Sequence, residues 1–282
     1  MATNTEFILT RYLYNKTEVK HSLFLSLLDH NIDESLFWGF ELYYSGFEEE
    51  AFVFLLKIFE FVYEEVNNGL SEYVEQTIIN WNQKNEPIYF ANLVATLSTR
   101  KYDLTKFCKL YLKVSGIQKT TERKNFRISL KESDIEKFNN YSDTPQRMTL
   151  KTKCIYKIRK EANKLFNIDL PEYEKIKNNY HYHWLYFASK SPVWSERIAQ
   201  FHGKLNENKK EIEFQNDDYL ESFYVLYNYE PDEQSIDTQT KCIGIEDEKQ
   251  LSIKDFCSKY NFILKTKKFA PSKNSFSSLE QK

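Results

Sequence analysis

One run of the sequence limits the fold more than any other. Between Ala51 and Tyr63 only Lys57 and Glu60 are polar. Because residues three and four positions apart share a helix face, these two residues and Glu64 predict one narrow polar stripe. A membrane-spanning helix would need about 20 apolar residues without interruption. The run therefore predicts a helix that neighbouring helices cover on several sides, and no membrane span is expected.

The first region, residues 1–116, is predicted to contain about six helices joined by short loops. Its boundary signals are a mixture of capping residues, glycines and one proline at a first-turn position: Asn31, Gly46, Gly69, Ser71, Pro87 and Asp103. Antiparallel helical hairpins packed in a row would cover the apolar run. The predicted fold class is therefore mainly α, with an irregular, HEAT-like helical stack at the N-terminus.

The second region, residues 117–264, is predicted to be mostly helical with a few short strands. Residues 125–130 and the segment KKEIEF at 209–214 read as strands, and residues 145–166 read as one long amphipathic helix. Residues 265–282 show no periodicity and are predicted to be a disordered tail.

The residue types that catalysis and cofactor binding need do not form any known motif here. The chain has only six glycines, and it contains neither a phosphate-binding GxxxxGK[ST] or GxGxxG loop nor a GxSxG nucleophile turn. Four widely spaced cysteines form no CxxC motif and predict free thiols. Two histidines, His181 and His183, would face the same way on a strand and could bind zinc there, but an aromatic-rich packed segment with local hydrogen bonds is the favoured interpretation. We therefore predict no catalytic residue, no metal and no cofactor.

Charge is segregated along the chain. Residues 116–210 carry 20 Lys and Arg against 11 Asp and Glu, whereas the segments on either side are acidic. The predicted helix at 147–164 presents seven cations that could bind nucleic-acid phosphates: Arg147, Lys151, Lys153, Lys157, Arg159, Lys160 and Lys164. The alternative is that these cations form a solvated face or pair with the acidic segments of the same chain.

A second candidate surface lies in the aromatic and acidic stretches of the second region. Two tryptophans and one acidic, tyrosine-containing segment are candidates for protein contact: Trp184, Trp194, Tyr229, Glu230, Asp232 and Glu233. Tryptophan and tyrosine are enriched in the energetically important parts of protein interfaces. Packing in the core is the alternative for Trp194, which follows a helix-opening proline.

Three stretches resemble one protein family. They are TEVKHSLFLSLLDHNIDESLFWGFELYYSGF, WLYFASKSPVWSERIAQFHGK and DDYLESFYVLYNYEPDEQ, and they are similar to proteins of unassigned function from giant nucleocytoplasmic large DNA viruses. The resemblance covers residues 10–235 and implies a viral protein in the host cytoplasm, at the viral factory, or in the virion. It assigns no catalytic residue. The helical stack is also similar, at the level of fold, to the HEAT-type domain of translation scaffold proteins.

These observations favour a non-enzymatic adaptor or scaffold that contacts viral or host proteins in a gene-expression or virion complex. An alternative is an RNA- or DNA-binding factor that uses the basic segment, for example in translation initiation. A third is an enzyme whose site gathers histidines and carboxylates from distant parts of the chain.

Overall fold

A computed structural model describes residues 6–119, 126–139 and 149–265 of the chain. Within these residues the protein is mainly helical, with a few short strands, which confirms the predicted fold class. The first region contains six α-helices: α1 (Lys16–Leu28), α2 (Ile32–Tyr43), α3 (Glu48–Ile58), α4 (Leu70–Lys84), α5 (Pro87–Thr99) and α6 (Thr105–Leu110).

The second region contains shorter helices. They are α7 (Glu132–Ile135), α8 (Thr149–Lys153), α9 (Tyr173–Tyr182), α10 (Trp184–Ala188), α11 (Pro192–Gln200), α12 (Asp217–Leu226), α13 (Ile236–Ile243) and α14 (Ile253–Lys259). The strands form two antiparallel pairs: β1 (Gly116–Gln118) with β4 (Phe262–Leu264), and β2 (Lys204–Asn206) with β3 (Glu211–Glu213). The predicted strand at 209–214 is thus confirmed at 211–213, whereas residues 126–130 form no strand.

Helix boundaries in the first region follow local chemistry. The Asn31 side chain accepts a hydrogen bond from the Glu34 amide at 3.1 Å, and Pro87 opens α5, as predicted. The prediction that Ser71 caps α4 is wrong, because the helix begins at Leu70, two residues earlier than predicted, after Gly69 in the left-handed conformation. Asp103 accepts from the Thr105 amide at 2.7 Å, but the helix that follows ends at Leu110.

The centre of the N-terminal region is formed by α1, α2 and α5. Gly39 on α2 allows Phe90 on α5 to approach closely, since a Cβ at this glycine would lie 3.0 Å from the Phe90 ring. The ring of Phe90 in turn lies 6.0 Å from that of Phe40 and 5.0 Å from that of Phe52. This aromatic packing fixes α2 and α3 against α5.

A buried ion pair joins the segment before α1 to α2. Arg11 Nε lies 3.0 Å from Glu41 Oε2, and Glu41 Oε1 accepts the amide hydrogen of Tyr12 at 3.0 Å. The Arg11 amide donates to the Ser45 hydroxyl oxygen at 2.9 Å. Burial raises the pKa of Glu41, and the Arg11 charge opposes that shift. Because the carboxylate accepts from both partners, part of the cost of burying the pair is offset.

The apolar run at 51–63 is covered less completely than the sequence predicts. Lys57, Glu60 and Glu64 are exposed, so the polar stripe is confirmed. However, Val53 on the same face is 49% exposed, and Phe61 is only partly buried. The α-helix also ends at Ile58 and continues as a π-helical turn over Phe59–Tyr63. One face of the run is therefore open to solvent rather than covered.

The long helix predicted at 145–166 is wrong in its described part. Helix α8 ends at Lys153, and only a 3₁₀ turn at Lys160–Ala162 follows. The backbone in between bonds to other elements: the Tyr14 hydroxyl donates to the Tyr156 carbonyl at 2.7 Å, and the Arg159 amide donates to the Ser22 hydroxyl at 3.1 Å. These tertiary hydrogen bonds replace the helical ones and override the helical periodicity.

Candidate protein-binding cleft

Three of the six described cations that were predicted to bind nucleic acid, Lys157, Arg159 and Lys160, are engaged within the chain. Arg147 lies outside the described residues. Lys157 pairs with Glu248 at 2.5 Å, and Lys160 is buried with its ammonium 4.4 Å from the centre of the Tyr173 ring. Lys151 and Lys164 are exposed, and Lys153 is half-buried beside a cavity that Arg11 also lines. Burial lowers the pKa of Lys153, and the Arg11 charge lowers it further. The described members of this set therefore do not all point into solvent as one basic face, since Lys160 is buried and Lys153 is half-buried.

Arg159 pairs a cation of the basic middle segment with carboxylates of the acidic first region. Its guanidinium contacts Asp29 and both carboxylate oxygens of Glu34, all from the acidic first region. Other pairs across the same charge boundary are Lys137 with Asp33 and Lys190 with Glu6. The segregated charges are therefore at least partly an internal electrostatic fit, which was one of the two alternatives that the sequence left open.

The predicted protein-interaction residues divide into core and surface. Trp184, Trp194 and Tyr229 are buried, and the rings of Trp194 and Tyr229 lie 5.1 Å apart. Their burial corrects the prediction that they face a partner, because the apolar surface that could bind a partner is already covered. Asp232 and Glu233 are exposed and Glu230 is half-buried, so their role in protein contact stays a prediction.

The histidines of the YHYHW segment do not converge. His181 lies on α9 rather than on a strand, and its Nε2 is 2.8 Å from the Gln239 amide oxygen. His183 Nδ1 is 3.2 Å from the Lys210 carbonyl oxygen. Throughout the described ranges, no three His, Cys, Asp or Glu side chains are placed to hold a metal ion. Nor does any helix in those ranges have both the length and the apolar character needed to cross a bilayer.

An aromatic cleft lies at the open face of the apolar run. It has a volume of about 240 Å³ and is lined by four separate parts of the chain: α1, the α3 and π-helical segment, the end of α6, and residues 165–167. Its aromatic wall consists of Phe24, Phe54, Phe61, Phe107, Tyr111 and Phe166. Ile58, Val62, Leu112 and Leu165 complete the apolar lining. We refer to this site as the aromatic cleft.

Ring contacts hold the walls of the aromatic cleft together. The Phe107 ring centre lies 4.9 Å from that of Phe24 and 5.3 Å from that of Tyr111. The Phe61 ring meets Tyr111 edge-on at 5.4 Å. Phe61 belongs to the π-helical turn, a deviation from α-helix that is frequent at functional sites. Phe61 and Val62 of this turn line the cleft together with Phe54, Lys57 and Ile58 of α3.

His21 gives the aromatic cleft one defined hydrogen-bonding group. Its ring stacks on Phe166 at 4.6 Å, and its Nδ1 lies 2.7 Å from the Thr17 carbonyl oxygen. Because a carbonyl can only accept, Nδ1 carries the hydrogen. Burial lowers the pKa of His21 to about 4, so the ring is neutral at pH 7. Its Nε2 is then an acceptor, which suits a ligand that brings an N–H or O–H group.

Exposed apolar residues adjoin the lining of the aromatic cleft in the sequence, and one lining residue is a cation. Tyr111 is 51% exposed, Leu110 beside it is 45% exposed, and Val53 lies one helical turn before Lys57. Lys57 lines the cleft and is exposed, and no carboxylate in the described part of the chain lies within ion-pair distance of it. Lys106 lies 5.0 Å from the Phe61 ring centre but is paired with Glu60 at 3.3 Å.

The aromatic cleft is not predicted from the sequence, although the sequence contains one signal for it. Val53, Phe54 and Phe61 share the helix face of Lys57 and Glu60, so the polar stripe has apolar flanks. The opposite wall comes from Phe107 and the residues near Phe166, which only the tertiary fold brings there.

Comparison of the chain with models of protein families, with curated proteins and with solved structures found no match.

Proposed function

We propose that this protein is a non-enzymatic adaptor, and that its aromatic cleft holds a large apolar side chain from a segment of a protein partner. The observation that carries the proposal is a cavity with an aromatic lining, in which Tyr111 is 51% exposed and the sequence neighbours of Phe54 and Tyr111, Val53 and Leu110, are exposed too. Exposed apolar side chains beside a cavity are typical of interaction sites. The resemblance to giant-virus proteins adds the proposal that the partner is viral or host and belongs to a gene-expression or virion complex.

The size of the cleft favours a protein side chain over a free metabolite. Pockets for drug-sized small molecules usually enclose roughly 300–1,000 Å³, and this cleft is smaller, at about 240 Å³. Binding of one anchoring side chain in a small, well-defined pocket is a common feature of protein interfaces. Such an anchor would need further contacts outside the cleft, and we propose that the exposed side chains of Val53, Leu110 and Tyr111 offer them.

Charge at the mouth indicates what should flank the anchoring side chain. Lys57 is a cation without a partner among the described residues, whereas Lys106 is already neutralised by Glu60. A carboxylate next to the anchoring side chain would pair with Lys57 and would favour the correct register. We therefore propose a partner segment with one large aliphatic or aromatic residue and an adjacent aspartate or glutamate.

Selection from a displayed library of random peptides tests this function directly. Peptides that bind the full chain should share a large apolar residue next to an acid, and Tyr111→Glu should lower their affinity at least tenfold. The matched control is Val225→Glu, which places the same charge at an exposed valine on α12, and it should leave the affinity unchanged. Circular dichroism verifies that both variants are folded. Peptides that bind the Tyr111→Glu variant as tightly as the wild type would rule out the cleft.

The nucleic-acid alternative has less support than the adaptor, because Lys157, Arg159 and Lys160 already contact groups of the same chain. Its test is titration with a fluorescent single-stranded oligonucleotide at two salt concentrations. Binding that weakens steeply with salt, and is lost when Lys151, Lys153 and Lys164 are changed to glutamate, would favour this alternative. Binding that ignores these changes would count against it.

A further inference from the structure

Two cysteines that are far apart in sequence lie side by side in the core. The Sγ atoms of Cys154 and Cys242 are 3.5 Å apart, although 88 positions separate them in the chain. Both residues are completely buried. Each thiol also lies within hydrogen-bonding distance of the Tyr12 carbonyl oxygen, at 3.7 and 3.8 Å. The two side chains therefore converge on one point.

The surroundings of the pair argue against a metal site and against a catalytic dithiol. A zinc site needs three or four ligands, and no third His, Cys, Asp or Glu in the described chain completes a set with these thiols. Catalytic dithiols need a thiol whose pKa is low and which a substrate can reach. Burial raises the pKa of Cys154 well above its ordinary value, and the neighbouring Cys242 raises it further.

We infer that Cys154 and Cys242 are a site of intrachain disulfide formation when the chain meets a low-molecular-mass disulfide such as oxidised glutathione. One thiol, as its thiolate, attacks the reagent and releases one reduced glutathione. The second attacks the resulting mixed disulfide and releases another. The protein loses two electrons and two protons, and the reagent gains both. The sulfurs must approach from 3.5 Å to about 2.05 Å.

The proposed bond would reinforce a contact that the fold already makes. The Ile158 amide donates to the Lys241 carbonyl at 2.9 Å, which holds the segment after α8 against α13. A disulfide between Cys154 and Cys242 would make this connection covalent and would restrict the unfolded chain. The other two cysteines, Cys108 and Cys257, are also in contact through their side chains, and the neighbouring rings of Phe107 and Phe256 lie 6.1 Å apart.

The experiment equilibrates the full chain in glutathione redox buffers, once folded and once in concentrated urea. After free thiols are alkylated, trypsin releases Cys154 in the peptide CIYK and Cys242 in CIGIEDEK, and mass spectrometry measures the fraction of the two peptides that are linked. Because folding places the thiols together, the effective concentration of the pair should be at least tenfold higher in the folded chain. Equilibration must be long, since buried thiols exchange slowly.

Linkage that is no greater in the folded chain than in urea would overturn the proposal. The proposal would also be overturned if the folded chain formed mixed disulfides with glutathione at both cysteines rather than the Cys154–Cys242 disulfide. A second measurement compares thermal unfolding before and after oxidation: the midpoint should rise for the wild type, and Cys242→Ala should abolish the rise that this pair causes. Because this readout compares each protein with itself, a loss of stability from the substitution does not obscure it.

Discussion

Arg159 and Glu34 form a two-pronged ion pair between parts of the chain that are 125 positions apart. Arg159 Nε and Nη2 donate to the two carboxylate oxygens of Glu34 at 2.8 and 2.5 Å. Both side chains are largely buried, at 13% and 9% exposure. Glu34 also accepts from the indole N–H of Trp38 at 3.1 Å. The pair therefore connects the basic segment to the aromatic core of the first region.

We expect Arg159→Met to destabilise the fold by about 3–5 kcal/mol, because it leaves a buried carboxylate without its charge partner. Arg159→Lys should cost about 1–3 kcal/mol, since an ammonium keeps the charge but loses the parallel hydrogen bonds. Urea unfolding measures both values. Lys164→Met is the matched control for an exposed cation of the same segment and should change stability by less than about 0.5 kcal/mol. Equal losses at the two positions would contradict this interpretation.

Glu18 should make stability depend on pH. Burial raises its pKa to about 7, although Asn163 donates to it at 2.6 Å. The folded state thus keeps a proton that the unfolded state releases above pH 4.5. The contribution of this carboxyl group to the free energy of unfolding is fully present below pH 4.5 and is lost as the pH rises through 7. Glu18→Gln should therefore stabilise the protein by about 1–3 kcal/mol at pH 8 and by little at pH 4.

The comparison of wild type with Glu18→Gln at each pH isolates this contribution. His21 titrates in the opposite sense over the same range, because its pKa is lowered to about 4 and its share of the stability is lost as pH falls from 6.5. Since both proteins contain His21, its contribution cancels in the difference. A difference that stays constant from pH 4 to pH 8 would contradict the assignment.

Trp194 should be a core residue rather than a contact for partners. It is completely buried, its indole N–H donates to the Thr10 carbonyl at 3.1 Å, and Arg197 lies 4.6 Å above its ring. Trp194→Ala should destabilise the protein by about 3–5 kcal/mol, and Trp194→Phe by about 1–3 kcal/mol. Urea unfolding followed by circular dichroism measures the loss. If the Trp194 variants kept full stability but lost binding to a partner, the prediction that Trp194 contacts a partner would be supported instead.

Lys57 should determine which charge the partner segment carries. We expect Lys57→Glu to weaken binding of acid-flanked peptides about tenfold and to improve binding of the same peptides with lysine in place of the acid. Lys175→Glu, which reverses an exposed cation on α9, is the matched control and should change neither affinity. Fluorescence polarisation at low and physiological salt measures the effect. Equal changes for both variants would indicate only long-range charge rather than a contact at the cleft.

Local signals in the sequence predicted the fold better than the site. Apolar spacing and caps such as Asn31 and Pro87 act over a few residues, so they identified most helices of the first region. The segment 154–159 was misread because its helical periodicity is real, but its backbone is bonded to Tyr14 and Ser22, which lie more than 130 positions away. The aromatic cleft was missed for the same reason, since its walls come from four distant segments.

The pairing of β1 with β4 has a consequence for synthesis of the chain on the ribosome. The Gln118 side chain donates to the Tyr260 carbonyl at 2.8 Å, and the two residues are 142 positions apart. While the ribosome still holds the later residue, the earlier strand has emerged without its partner. By then all of α1 to α5 has been synthesised, so these helices can pack against one another. Strand β1 cannot pair until β4 has also been synthesised. The pairing of β1 with β4 can therefore form only after the ribosome has released Leu264, later than any contact within the first region.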